Sequence, residues 1–141
     1  MTETTWVYVS GPLTTGGPSA LAGNVRRAVE AGCELIRRGY VVVVPHEKAL
    51  LCEKLLDMPY ESWLAYDLKV IDRCDALLRL PGKSGGAARE VDYCARVLGR
   101  PVYYSLDTLV ACEPVERLRV VLRTEGWYGV FGRAVVDRRF A

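Results

Sequence analysis

The stretch Tyr40-Val41-Val42-Val43-Val44 constrains the fold more than any other part of the chain. Five apolar residues in a row, four of them β-branched, favour a strand, and a strand with no polar alternation has both faces covered. Gly39 stands before the run as a helix-ending residue and Pro45 closes it. A sheet covered on both faces is parallel, and parallel strands need crossover helices. The flanking sequence supplies them. Trp6–Ser10 (WVYVS) reads as a first strand ended by Gly11-Pro12, and Leu13 to Gly23 reads as a loop. Asn24 then reads as the N-cap of a helix with Val25, Val29, Cys33 and Ile36 at helical spacing.

The same alternation continues downstream. Residues 47–58 read as an irregular helix broken at Met58-Pro59, and residues 60–73 as a second helix holding Trp63, Tyr66, Leu68, Val70 and Ile71. Ala76–Leu80 is a third strand. Ser84-Gly85-Gly86 opens a helix with Ala87, Val91, Cys94, Ala95 and Leu98 on one face, closed by Gly99. Pro101–Tyr104 is a fourth strand, followed by a last helix over 112–125 and a short strand near 129–136. This pattern predicts a single α/β domain over residues 1–141, an open doubly wound parallel sheet of about five strands. If the strand order is that of the flavodoxin-like sheet, 2-1-3-4-5, the direction of winding switches between strands one and three. Ligands in such sheets bind beyond the carboxyl ends of the strands at that switch. The loops after Ser10 and Leu80, rich in Gly, Ser and Pro, then share one crevice.

Composition narrows the partners. A chain of 141 residues fits one domain, and 19 Lys and Arg against 17 Asp and Glu leave a net charge of +2. That balance argues against binding a nucleic-acid polymer or a charged membrane surface. No apolar run is long enough to span a bilayer, and Met-Thr-Glu-Thr-Thr carries no basic export signal, so a cytoplasmic protein is expected. The five cysteines show no CxxC pair and only one histidine accompanies them, so no metal site is expected. Cys33, Cys74 and Cys94 sit among apolar neighbours and read as small core hydrophobes.

A few residues could carry chemistry. Ser84 reads as an N-cap over Gly85 and Gly86, whose backbone N–H groups and helix dipole suit an anion. Glu90 lies about a turn and a half inside that helix. Pro81-Gly82-Lys83-Ser84 lacks the distant glycine of a phosphate loop, because Leu77 stands there. Asp67 sits one turn after Trp63 within an apolar pattern, which makes it a candidate site carboxylate, with a helix-surface charge as the equal alternative. Asp75 reads as a turn residue bonding local backbone. Tyr8 lies mid-strand and His46 follows strand two at the carboxyl edge. Each also has a plain reading: Glu90 as a solvated helix charge, Tyr8 as core, His46 as surface.

The ordered set Tyr8-Val9-Ser10-Gly11-Pro12, Asn24, Gly39 to Pro45, Asp67, Cys74-Asp75-Ala76 and Ser84-Gly85-Gly86-Ala87 with Glu90 resembles the nucleoside 2-deoxyribosyltransferase superfamily, over about residues 6–105. That superfamily includes the deoxynucleoside 5′-monophosphate N-glycosidases. The resemblance implies a flavodoxin-like fold, no metal or organic cofactor, and homodimers or higher homo-oligomers with sites near the subunit interface. It implies Glu90 as the nucleophile on the anomeric carbon, Asp67 (eight residues before Asp75) as its assistant, and Tyr8 as a residue holding the site. Substrate contacts would come from Ser10, Gly11, His46, Ser84, Gly85 and Gly86. Ser84, six residues before Glu90, matches the serine that accepts a 5′-phosphate in the monophosphate branch, and Lys83 and Arg89 stand nearby. The implied substrate is a small nucleoside or nucleotide. The alternative from another class is a module on the same fold that binds a nucleotide and leaves it intact.

Overall fold

The computed structural model describes residues 4–114, 121–122 and 138–139. Four parallel strands, β1 (Trp6–Ser10), β2 (Val41–Val43), β3 (Ala76–Arg79) and β4 (Val102–Tyr103), form one sheet in the order β2-β1-β3-β4. The central pair is in register with Tyr8 opposite Leu77 and Ser10 opposite Arg79. The chain winds from β1 outward to β2, then returns past β1 to β3 and β4, so the switch lies between β1 and β3, as the strand order predicts. A fifth strand of this sheet is not present among the described residues. Val121–Leu122 instead pairs antiparallel with Arg138–Arg139 (β5 and β6). The strand expected near 129–136 lies outside the described residues.

The helices are α1 (Leu21–Arg37), α2 (Pro45–Leu55), α3 (Tyr60–Ile71), α4 (Gly85–Asp92) and α5 (Leu106–Cys112). A single π turn, Tyr93–Val97, carries α4 on toward Gly99, which ends it at φ +63°. Two clusters show that both sheet faces are covered. On one face Val7, Val9 and Leu78 pack with Ala28 and Leu35 of α1 and Leu109 of α5. On the other, Tyr8 and Leu77 pack with Ile71 of α3, Cys74 and Cys94. Neighbouring β1 residues thus feed opposite clusters, as the period of two in a strand requires.

Several expectations need correction. Helix α1 starts at Leu21, after a 3₁₀ turn at Pro18–Ala20, and its N-cap is Ala20. Asn24 is therefore inside the helix and buried. The packed face of α1 is Val25, Ala28, Gly32 and Leu35, whereas Cys33 and Ile36 are exposed. Close approach explains this choice of face: a Cβ on Gly32 would stand 2.6 Å from Val44 Cγ2, so only the smallest residue lets helix and strand touch. Among the described residues the Tyr40–Val44 run is an edge strand with β1 as its one sheet neighbour, and its three paired residues are only half-buried. Helix α5 runs over Leu106–Cys112, since Ser105 caps it by accepting from Thr108 N and Glu113 leaves helical geometry. Most of the helix expected over 112–125 lies outside the described residues, and within that range Val121–Leu122 is strand. Cys74 and Cys94 are buried as predicted.

Among the described residues no helix is long and apolar enough to cross a membrane.

Candidate active site

The loops after β1 and β3 are fastened to each other before any side chain enters the cleft. Thr15 Oγ1 donates to the Lys83 carbonyl at 2.7 Å, and Asn24 Nδ2 donates to the carbonyls of Leu13 and Thr15 at 2.8 and 3.0 Å. Asn24 thus holds the β1–α1 loop from within the helix instead of capping it. Gly82 sits at φ +115°, and a Cβ there would stand 2.7 Å from Pro12 Cγ. Gly82→Ala should therefore destabilise the protein by about 1–3 kcal/mol, read by chemical denaturation, because the strained φ and a rigid proline leave no relief.

Beyond these loops, at the carboxyl ends of β1 and β3, lies a cleft of about 540 Å³. Its wall combines Gly11 and Thr15 from the first loop with His46 and Lys48 of α2. Trp63 and Asp67 of α3, and Ser84, Gly85, Gly86 and Glu90 at the start of α4, complete it. Ser84 caps α4 by accepting from Ala87 N at 3.2 Å, and its hydroxyl proton is left to bond elsewhere.

Glu90 follows Ala87 by three residues and precedes Cys94 by four, so it lies on the inward stripe of α4 and is only 7% exposed. The plain reading of a solvated helix glutamate does not hold. Tyr8 and Ser10, two apart on β1, project to the same side of the sheet and meet it. Tyr8 Oη donates to Oε2 at 2.5 Å and Ser10 Oγ donates to Oε1 at 2.8 Å. Two bonds occupy two of about four acceptor positions on a carboxylate, so lone pairs remain for a ligand atom. Burial pushes the Glu90 carboxyl above its ordinary range, and the nearby Asp67 charge adds to that; the Tyr8 and Ser10 hydroxyls and Lys48 oppose it. Burial, with the Glu90 charge second, also raises Tyr8 well above an ordinary tyrosine, so the phenol keeps its proton and stays a donor.

Asp67 lines the same cleft in an ion pair with Lys48, whose Nζ donates to Oδ1 at 2.6 Å. His46 is buried and its Nε2 lies 3.2 and 3.1 Å from the carbonyls of Gly11 and Pro12. Two acceptors require a proton on Nε2, which assigns the tautomer and leaves Nδ1 unprotonated and without a partner among the described residues. Burial lowers the His46 pKa, so the ring is neutral at neutral pH.

A family model described as domain of unknown function (DUF4406) matches residues 5–104. The chain belongs to that family. The match runs from the start of β1 through β4, so every group of the Glu90 cluster lies within this DUF4406 domain. Comparison with curated proteins gives no match.

Within the DUF4406 domain the structure brings Tyr8, Ser10 and Glu90 into direct contact and places Gly11, His46, Asp67, Ser84, Gly85 and Gly86 around one cleft. Asp75 is apart from it and accepts from Trp6 N at 2.8 Å, so it ties the start of β3 to β1, a partner distant in sequence, rather than bonding local backbone as its turn position suggests. Arg89 is not free for an anion, because Glu61 holds its guanidinium through two contacts of 2.9 and 3.2 Å, and neither Lys83 nor Arg89 lines the cleft. Lys48, Trp63 and Tyr60 are cleft residues that sequence reasoning missed as such. The available signal was spacing on α3, where Tyr60, Trp63 and Asp67 follow at intervals of three and four and so share a face. Among the described residues no group of three or more His, Cys, Asp or Glu side chains is placed to hold a metal ion.

Proposed function

We propose that the protein breaks the N-glycosidic bond of a (deoxy)nucleoside or nucleoside 5′-monophosphate, with Glu90 as nucleophile. One observation carries the reading: a buried glutamate, oriented by a tyrosine and a serine, lines a cleft shared with a second carboxylate. Cleaving a base from a sugar builds positive charge on the sugar ring, which a carboxylate beneath the anomeric carbon stabilises. One Glu90 oxygen bonds to C1′ as the C1′–N bond breaks, and that bond's electron pair leaves on the base, which takes up a proton. Water or a nitrogen of a second base then attacks C1′ and frees Glu90. Asp67, on the same cleft, is suited to hold the base edge or the proton in transit. The cleft is large enough for a ligand of nucleotide size. Ser84 and the open N–H groups of α4 fit the 5′ end, without help from Arg89.

The resemblance to deoxyribosyltransferases and monophosphate N-glycosidases supports the same chemistry, and their oligomeric habit leads us to propose a homo-oligomer. The test is chromatography of free base after incubation with deoxynucleosides and their 5′-monophosphates, with and without a second base. Release into water marks a hydrolase, and appearance of a new nucleoside marks a transferase. A nucleotide that raises the melting temperature yet stays intact for hours contradicts the enzyme and favours the binding module. The rate should also fall in acid, as Glu90 gains its proton at a pH above the ordinary glutamate range. An acid limb at the ordinary glutamate value would count against Glu90 as the titrating group.

A further inference from the structure

Lys48 belongs to a stretch of sequence with no regular apolar period, yet it is one of the most constrained cations in the structure. Its Nζ donates to Asp67 Oδ1 at 2.6 Å and stands 5.3 Å from the Trp63 ring centroid and 5.2 Å from that of Tyr66. The two rings meet edge to face, with centroids 6.3 Å apart and planes at 73°. An ammonium bonded to a carboxylate and facing two aromatic rings has little freedom to swing away. The side chains of Lys48 and Asp67 are 24% and 18% exposed, so water screens this pair less than the other ion pairs on the surface. Both residues line the cleft that Glu90 lines.

Two carboxylates facing one cleft repel, which favours a proton on one of them. We propose that Lys48 is a positioning residue: its ammonium, cornered by Trp63 and Tyr66, balances and orients Asp67 so that Asp67 and Glu90 can share one cleft. Oδ1 is committed to Lys48, while Oδ2 has no protein partner among the described residues and is the oxygen left for a ligand. The other groups around Glu90 do not supply this balance. Tyr8 and Ser10 on β1 are neutral donors, His46 on α2 is neutral, and Glu53 and Asp57 on the rim add negative charge. Glu61 of α3 and Arg89 of α4 pair with each other on the exposed side. Asp67 pushes the proton affinity of Glu90 up and Lys48 pushes it down, as the charge-balance role requires. The inference deepens the glycosidic-bond reading and rests on it only where rates are measured.

The test is a carboxyl-carbon NMR titration of protein labelled at glutamate, with Glu90→Gln identifying the Glu90 signal. Lys48→Gln should move the Glu90 midpoint to higher pH, Asp67→Asn should move it lower, and the double variant should return close to the parent. Lys48→Arg, which keeps the charge, should leave it in place. If the wild type releases base, Lys48→Gln should also lower the rate on the acid limb roughly tenfold, the equivalent of one pH unit. An unchanged Glu90 midpoint in folded Lys48→Gln overturns the inference. Should that variant not fold, Lys48→Met, which keeps the apolar stem without the charge, decides instead: a higher Glu90 midpoint supports the inference and an unmoved one overturns it. A wild type that releases no base refutes the proposed activity, while the titration still decides the role of Lys48.

Discussion

Glu90→Gln should cut base release by roughly 10⁴-fold or more and, near neutral pH, melt at a higher temperature than the wild type. The two effects share one cause. The carboxylate is buried, so its charged form is disfavoured in the folded state and its pKa lies above the unfolded value. Such a group leaves stability intact below the unfolded pKa and lowers it as pH rises through the folded pKa. At neutral pH the ionised nucleophile is therefore a burden on the fold. Glutamine is nearly isosteric and removes that charge, and the Tyr8 and Ser10 hydroxyls can turn to satisfy its amide. The gain in melting temperature should shrink as the pH is lowered toward the unfolded glutamate value. A Glu90→Gln protein that is inactive but no more stable than wild type at neutral pH would contradict the burial argument. One that is more stable but fully active would contradict the nucleophile.

The second large effect is expected at Tyr8. Its phenol makes the shortest bond to Glu90, at 2.5 Å, from the middle of β1 where it is fully buried. Tyr8→Phe keeps the ring in the packing of Ile71, Leu77 and Cys94 and removes only the donor. A hydrogen bond to a charged group contributes about 1.5–3 kcal/mol, so base release at neutral pH should fall by roughly 10- to 150-fold. Because the lost bond favoured the charged carboxylate, the acid limb of the pH–rate profile should also move to higher pH. Ser10→Ala should act in the same direction. A Tyr8→Phe profile that keeps its acid limb in place while losing rate would assign Tyr8 to the substrate instead of to Glu90.

The strands, the helix starts and the loops beside the cleft were legible because they follow from short-range signals, whereas the strand order came only with the flavodoxin-like fold that the resemblance implies. An unbroken Val run, strand-ending Gly-Pro pairs and a Ser-Gly-Gly helix start each act over a few residues. The Tyr8, Ser10 and Glu90 contact was legible only as a set of positions. Nothing local shows that a glutamate inside a helix is buried, and only the i, i+3, i+7 stripe of Ala87, Glu90 and Cys94 hints at it. The face of α1 was misread because larger residues draw attention, whereas close packing on β2 favours Ala28 and Gly32. Lys48 was not legible because its partners, Trp63, Tyr66 and Asp67, lie on another helix across a proline break. The pairing of Arg89 with Glu61 was not legible for the same kind of reason, since the two lie far apart in sequence.

The most direct measurement is mass spectrometry of the wild-type protein quenched in acid shortly after mixing with a deoxynucleoside or its 5′-monophosphate. The account predicts a single glycosyl adduct on the peptide containing Glu90, formed as base is released and absent from Glu90→Gln. Base release with no adduct on Glu90, or an adduct on Asp67 instead, would contradict it.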